Sequence, residues 1–159
     1  MQIRPMRMGD YDEVCALWKR TRGVGVGRSD RKENIRKYLR RNPGLSFVAR
    51  EDDKPATRRA GKSAGKLVGA VLCGHDGRRG FIGHLAVDRD FRGKGIGKSL
   101  VDKCLAGLKR IGIHRCYVFV FTSNLSGQKF WKHTGWRSHS DFTFMSKDLP
   151  AKTSKRCSC

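Results

Sequence analysis

Residues 81–105, FIGHLAVDRDFRGKGIGKSLVDKCL, join an apolar segment to a helical one through a turn that holds three glycines. The turn is close to the nucleotide-binding loop G-x-x-x-x-G-K-[ST], whose last three letters match Gly-Lys-Ser here. The first glycine of that loop would have to stand at Arg92, so the spacing does not fit. A dinucleotide fingerprint G-x-G-x-x-G that begins at Gly95 needs a third glycine where the chain has Leu100, so it does not fit either. The pattern that remains is R-x-x-G-x-G, over residues 92–97.

A strand that runs into a glycine turn and then a helix is typical of an anion site. The free N–H groups at the helix start point at the ligand, and the helix dipole favours negative charge. Glycines let the backbone approach that ligand closely, and Arg92 and Lys98 add positive charge. The turn therefore favours a pyrophosphate that needs no bound Mg²⁺. On the turn alone, a plain strand–turn–helix connection is the alternative.

The length of 159 residues predicts one domain with one core. The chain has no run of 18 apolar residues, and its first ten residues lack the apolar centre of a signal peptide, so we expect no membrane segment and a cytoplasmic location. The six cysteines show neither C-x-x-C pairs nor zinc spacing, which favours reduced thiols and no metal site.

The net charge is +21, from 35 Lys+Arg against 14 Asp+Glu, which favours anionic partners. Residues 19–41 hold ten basic residues and two acidic ones. Two further basic stretches, residues 52–65 and residues 150–159, are low in apolar residues. We therefore expect a domain over residues 1–149 with a flexible hairpin insertion at 52–65, followed by a basic tail.

Hydrophobic periodicity predicts the order β α α β β β α β α β, a mixed α/β or α+β sandwich. A capping box of Asp10 with Glu13 would begin the first helix, and Asp30 with Glu33 would cap the second. The predicted strands are 2–6, 45–51, 66–74, 81–87 and 115–121, with one or two closing strands in 136–147. The other two predicted helices are 93–111 and 124–134.

Five motifs in this order resemble the GNAT family of acetyl-CoA-dependent N-acetyltransferases. They are Leu85-Ala86-Val87, R-x-x-G-x-G at 92–97, the apolar strand 117–121, Asn124, and Phe130-Trp131 to Gly135-Trp136. The likeness covers roughly residues 2–148 and is strongest to small bacterial proteins described as ribosomal-protein-type acetyltransferases. It implies a GNAT fold, with a mixed central sheet of about six to seven strands flanked by four helices.

The resemblance also implies roles for the matching positions. The backbone of residues 85–87 would pair with the pantetheine arm of acetyl-CoA as an added strand does. The amide of Val87 would help to hold the oxyanion, and Asn124 would bond the end of the pantetheine. The implied cofactor-binding set is Leu85, Ala86, Val87, Arg92, Gly93, Lys94, Gly95, Ile96, Gly97, Lys98, Ser99, Asn124, Ser126, Phe130 and Trp131.

The acid and the base of the reaction are open at the level of sequence. The family often has a tyrosine where this chain has Trp131, and an indole N–H donates hydrogen bonds but is no acid. Tyr117, Ser126 or a water are the candidate acids, and the thiolate can also leave unaided. His84 is the candidate base because histidine titrates near pH 7. A water chain and a merely packed His84 are the alternatives.

The sequence thus predicts acetyl transfer to a primary amine of a protein, peptide or small molecule, by a monomer or homodimer. A protein that binds acetyl-CoA without transferring it is the first alternative. A nucleic-acid or ribosome-associated basic protein is the second, although no helix-turn-helix, zinc or RNP motif supports specific binding. The basic residues 19–41 would attract an amine on an anionic carrier, or else form a solvated helix face.

Overall fold

The computed structural model of the chain describes residues 1–52 and 65–149. The strands in this part are β1 (Gln2–Pro5), β2 (Phe47–Arg50), β3 (Leu67–His75), β4 (Gly80–Val87) and β5 (Cys116–Val118). The α-helices are α1 (Tyr11–Arg20), α2 (Lys32–Arg41), α3 (Ile96–Arg110) and α4 (Leu125–His133). The order β α α β β β α β α confirms the predicted one as far as α4. Residues 53–64 of the predicted insertion and the tail 150–159 lie outside the described residues.

The five strands form one mixed sheet in the order β1-β2-β3-β4-β5. Strands β1 to β4 pair antiparallel with one another in turn, and β5 runs parallel to β4. The pairing of β4 with β5 covers three positions, from Gly80 opposite Cys116 to Ile82 opposite Val118. Strand β4 continues to Val87, so its last five residues have no pairing with β5. The two strands therefore part after Ile82 and leave a gap between them.

Helices cover both faces of the sheet. Helices α1 and α2 lie on one face, over a core of Val14, Leu17, Trp18, Ile35, Val48, Leu67, Ala70, Leu72 and Ala86. Helices α3 and α4 lie on the other, over a core that includes Phe47, Val68, Val71, Ile82, Ile96, Leu100, Val101, Cys104, Leu108 and Trp131. In the described part of the chain, no helix is both long and apolar enough to cross a membrane.

Strand β4 contains a β-bulge next to the gap. Ala70 of β3 lies opposite Ala86, and Leu72 lies opposite Gly83, so the single residue Val71 faces two residues of β4, His84 and Leu85. His84 takes a left-handed backbone conformation, with φ +51°. A bulge of this kind re-aims the side chains around it, and here it turns the imidazole toward α1.

The predicted closing strand in 136–147 is wrong, because residues 137–149 form no strand. The described sheet accordingly has five strands, not six to seven. Phe142 and Phe144 carry the alternation that predicted the strand, but each is 73% exposed. A strand needs a partner as well as a pattern. Here β5 is three residues long. The residues after it contact the predicted closing strand through the rings of Phe119 and Phe144, whose centroids are 5.1 Å apart.

The predicted caps of the first two helices are also wrong. Asp10 caps no amide of α1; its carboxylate accepts hydrogen bonds from Arg4, from Arg50 and from the Arg7 amide. Helix α2 begins at Lys32, two residues after Asp30. The Asp30 carboxylate instead accepts from the Gly27 amide at 2.8 Å. Each aspartate thus accepts from the amide three residues before it, and each also contacts a distant side chain, Arg50 for Asp10 and His84 for Asp30.

Candidate functional site

The turn between β4 and α3 has the geometry of an anion site. Gly93 and Gly95 have φ +74° and +76°, which residues with a side chain rarely adopt. A Cβ added at either would meet no atom within 4 Å, so the surface above the turn is open. The hydrogen-bond ladder of α3 begins with the Ser99 amide, which donates to the Gly95 carbonyl at 3.0 Å. The amides of residues 96–98 therefore have no partner within the helix and are free for an anion.

Exposed side chains add positive charge around this turn. The Arg92 guanidinium donates through Nε to the Val87 carbonyl at 3.0 Å. Lys94 lies over the Phe91 ring, 4.9 Å from its centroid. Lys98 pairs with Asp102 at 2.7 Å along the exposed face of α3. The predicted residues Arg92, Lys94 and Lys98 are thus together at one surface, beside the start of the helix.

The end of β4 presents backbone groups to the gap. The Asp88 amide donates to the Val68 carbonyl at 2.8 Å, toward β3. In an antiparallel ladder, alternate residues point their N–H and C=O groups to opposite sides. Leu85 and Val87 therefore point their N–H and C=O groups away from β3, toward the gap where β5 has diverged, and the Val87 carbonyl accepts there from Arg92. An extended ligand arm can pair there as an added strand does.

Helix α4 supplies the other wall of the gap. Asn124 is its N-cap, and the side-chain Oδ1 accepts from the Gly127 amide at 2.9 Å. Ser126 donates to the same oxygen at 3.2 Å. The Phe130 ring lies against Gly97, where an added Cβ would be 3.3 Å from it. The predicted residues of α4 therefore meet the glycine turn of α3 at this end of the sheet.

Trp131 is a core residue. Its side chain is 8% exposed and belongs to the core under α3. Its ring lies 5.1 Å from Phe130 and 4.9 Å from Trp136, both edge-on. This position agrees with a packing role for the indole.

The structure separates the two candidate catalytic side chains. His84 lies at the bulge, three residues from Val87, with its side chain 25% exposed. Tyr117 lies opposite Phe81, where the rings stack at 6.0 Å and Arg79 covers the phenol. Phe81 is at the other end of β4, six residues or about 20 Å of strand from Val87. Tyr117 is therefore not brought together with the other site residues.

A glycine-rich segment, residues 22–30, spans the gap on the side of α1. We call this segment the glycine loop. The Gly23 carbonyl lies 3.5 Å from Nδ2 of Asn124. Gly25 passes close to Phe121, since an added Cβ would be 3.1 Å from the ring. At its far end, the loop carries Asp30, 3.0 Å from His84. The loop thus touches β4 on one side of the gap and the segment between β5 and α4 on the other.

Four residues near the site were missed at the level of sequence. Trp18 packs its ring 4.8 Å from that of His84, and Asp30 contacts the same imidazole. Arg20 at the end of α1 pairs with Asp88 at 3.0 Å, and this hydrogen bond lowers the pKa of the Asp88 carboxyl. These contacts join residues more than 50 positions apart, so only the fold reveals them. Among residues 1–52 and 65–149, no cluster of His, Cys, Asp and Glu could hold a metal ion.

The family model described as Acetyltransferase (GNAT) family matches residues 11–136. Acetyltransferase SG1711 of Sodalis glossinidius is 33% identical over 103 residues, which are 65% of this chain and 63% of that protein, slightly under two thirds of its length. Acetyltransferase ECA0875 of Pectobacterium atrosepticum is 31% identical over 124 residues, 78% of this chain and 79% of that protein. The solved structure of AAC(6')-Iy with the bisubstrate analog CoA-S-monomethyl-acetylneamine has a TM-score of 0.68 at 18% identity, over 93% of this chain and 98% of that one.

Proposed function

Because this chain belongs to the GNAT acetyltransferase family, we propose that it moves the acetyl group of acetyl-CoA directly to a primary amine. The observation that carries the proposal is the junction of two features at one end of the sheet. The free amides of residues 96–98 suit the pyrophosphate, and the edge of Leu85 and Val87 that has no strand beside it suits the pantetheine arm. The solved relative with a CoA-containing analog supports this choice of acetyl donor.

Different residues of the gap carry out the different steps of acyl transfer. His84 takes a proton from the amine, whose lone pair then forms the new bond to the acetyl carbon. The Val87 amide donates to the oxyanion that forms on the acetyl oxygen. The bond from carbon to sulfur breaks, and the thiolate leaves without an acid, since an alkyl thiol with a pKa of about 8.5 is a fair leaving group. Trp131 packs and Tyr117 is remote, so neither takes part.

We further propose an acceptor amine carried on an anionic molecule, such as an acidic peptide. Exposed basic side chains are concentrated on the glycine loop, at Arg31 and on helix α2. They are Arg22, Arg28, Arg31, Lys32, Arg36, Lys37, Arg40 and Arg41. Such a surface repels a free polyamine and attracts an anion.

The test has two independent parts. Calorimetry with acetyl-CoA measures binding, and release of free thiol measures transfer to acidic peptides, basic peptides and spermidine. We expect binding in the micromolar range and transfer to at least one acidic peptide. Binding without transfer to any amine would favour the non-catalytic alternative, and absence of binding would refute the site.

A further inference from the structure

His84 is held in an unusual backbone conformation at the bulge of β4. It is the one non-glycine residue with positive φ in the described part of the chain, at +51°. Histidine tolerates this region better than most residues, but it still costs on the order of 1 kcal/mol. Strained residues that persist are concentrated at functional sites. The strained conformation at the bulge thus indicates that the orientation of the His84 ring has a functional role.

The imidazole lies between two buried side chains. The Trp18 ring, with no exposed surface, is 4.8 Å away at an angle of 57°. The buried nitrogen Nε2 lies 3.0 Å from Oδ1 of Asp30, which is 8% exposed. This contact is at ion-pair distance but is not aligned as a hydrogen bond, so the ring or the carboxylate would have to turn to form one. Catalytic hydrogen bonds often tighten in this way when substrate binds.

The carboxylate of Asp30 is itself fixed in place. Its Oδ2 accepts from the Gly27 amide at 2.8 Å, and its backbone carbonyl accepts from the Tyr11 hydroxyl at 2.9 Å. The chain has 35 Lys and Arg residues, yet in residues 1–52 and 65–149 the ion-pair partner of Asp30 is His84. Oδ1 is therefore available to the imidazole.

We infer that Asp30 is the positioning residue for His84, and that the glycine loop holds Asp30 beside the imidazole. This inference rests on the proposed acetyl transfer. With Nε2 held toward Asp30, Nδ1 is the nitrogen left to take a proton. It has no hydrogen bond to any described residue. When Nδ1 takes the proton from the amine, the carboxylate stabilises the imidazolium and does not itself become protonated. The Trp18 ring adds a smaller stabilisation of the same cation.

The decisive variant is Asp30→Asn. An asparagine keeps an oxygen that accepts from the Gly27 amide and keeps the volume, so the loop anchor survives while the charge is lost. We expect kcat to fall about tenfold to a hundredfold, with the affinity for acetyl-CoA unchanged. In a His84→Gln background, the same Asp30→Asn change should cost less than about twofold, because no ring remains to be oriented. The matched control is Asp12→Asn, which removes the same charge from an exposed pair with Lys32 and should leave kcat unchanged.

A spectroscopic readout separates this inference from the acetyl transfer it rests on. The ¹⁵N shifts of the neutral imidazole, assigned with His84→Gln, should show the proton on Nε2 in the parent and on Nδ1 in Asp30→Asn, where the amide NH2 would donate to Nε2. The inference is overturned if the parent ring carries its proton on Nδ1, or if Asp30→Asn costs as much without His84 as with it. If no amine is acetylated while the ¹⁵N shifts show the Nε2–H form, the acetyl transfer fails and the pairing of Asp30 with His84 stands.

Discussion

The side-chain nitrogen of Asn124 lies 3.5 Å from the carbonyl oxygen of Gly23, although the two residues are 101 positions apart in the chain. The same amide caps α4 through its oxygen, which accepts from Gly127 at 2.9 Å. One side chain therefore joins the start of α4 to the glycine loop, across the gap where the reaction is proposed to occur.

We expect Asn124→Asp and Asn124→Ala to separate these two contacts. Aspartate still caps α4 but sets a carboxylate oxygen against the Gly23 carbonyl, so the loop should detach while stability is kept. KM for the acceptor should rise several-fold with little change in melting temperature. Alanine loses the cap as well, which should lower stability by about 1 kcal/mol. An Asn124→Asp variant with the parental KM would show that the loop contact has no role.

Gly95→Glu should abolish binding of acetyl-CoA. The new side chain would occupy the open space over the turn and place a negative charge against the phosphates. Gly77→Glu is a matched control, because Gly77 also has positive φ, at +99°, and open space around it, but lies in the turn between β3 and β4. Calorimetry should show parental affinity for the Gly77 variant. Equal affinity in both variants would place the pyrophosphate elsewhere.

Trp131→Phe should keep kcat within about threefold. The indole packs between Phe130 and Trp136 in the core, so the loss should fall on stability, by about 1–3 kcal/mol. Trp136→Phe, on the other ring of this contact, serves as the control for loss of packing alone. A fall of a hundredfold or more in kcat for a folded Trp131→Phe, the size of an acid–base contribution, would assign the indole a chemical role.

Asp10 should make stability depend on pH in the acid range. Burial tends to raise the pKa of its carboxyl, but hydrogen bonds from Arg4, the Arg7 amide and Arg50 outweigh burial and hold the pKa at about 2 instead of 3.8. The stabilisation is therefore complete above about pH 4 and is lost as pH falls toward 2. Asp10→Asn should lower the free energy of unfolding at pH 7 by about 2 kcal/mol.

Urea unfolding between pH 2 and pH 7 checks this expectation, and the difference between Asp10→Asn and the parent should shrink toward the acid end. The exposed Asp12→Asn should cost less than about 1 kcal/mol at any pH. A difference for Asp10→Asn that stays constant with pH would contradict the linkage.

The basic surface of α2 should govern the rate with an anionic acceptor. Arg36→Gln with Arg40→Gln removes two exposed charges and should lower kcat/KM several-fold at low salt. Lys103→Gln with Arg110→Gln on α3 removes as many charges from the opposite face and should have little effect. Raising the salt from about 0.02 M to 0.3 M should erase the difference, since the Debye length shortens well below 10 Å. A rate that is flat with salt, or a preference for spermidine, would contradict steering by this surface.

The sequence predicted the features that depend on local chemistry. The glycine turn at 92–97, the helix after it and the cap at Asn124 each follow from a few neighbouring residues. The bulge at His84 could not be predicted, because it is defined by the register of β4 against β3. The contact of Asp30 with His84 depends in turn on that bulge.

Two errors have a common physical cause. Asp10 and Asp30 each precede a helix, and their local pattern predicts a cap. Each carboxylate instead accepts from the backbone amide three residues before it and contacts a distant side chain, Arg50 for Asp10 and His84 for Asp30. The prediction of a closing strand is wrong for a related reason. The alternation of apolar and polar residues in 142–145 specifies which side chains share a face, but it does not specify a neighbouring strand to pair with. The local sequence predicts which backbone groups a side chain can reach, and tertiary packing decides which contacts it makes.

The extra residue in β4 interrupts the alternation by which successive side chains of a strand point to opposite faces of the sheet. Before it, Ile82 faces the core beneath α3; after it, Leu85 and Val87 face that core and Ala86 faces α1. Removing one residue at this point would bring Ile82 and Leu85 two positions apart, so plain alternation would keep Leu85 and Val87 toward the core beneath α3 and Ala86 toward α1. Such a deletion would leave both cores in place and remove only the irregularity that turns His84 toward α1, so the extra residue serves the imidazole and not the packing of the strand.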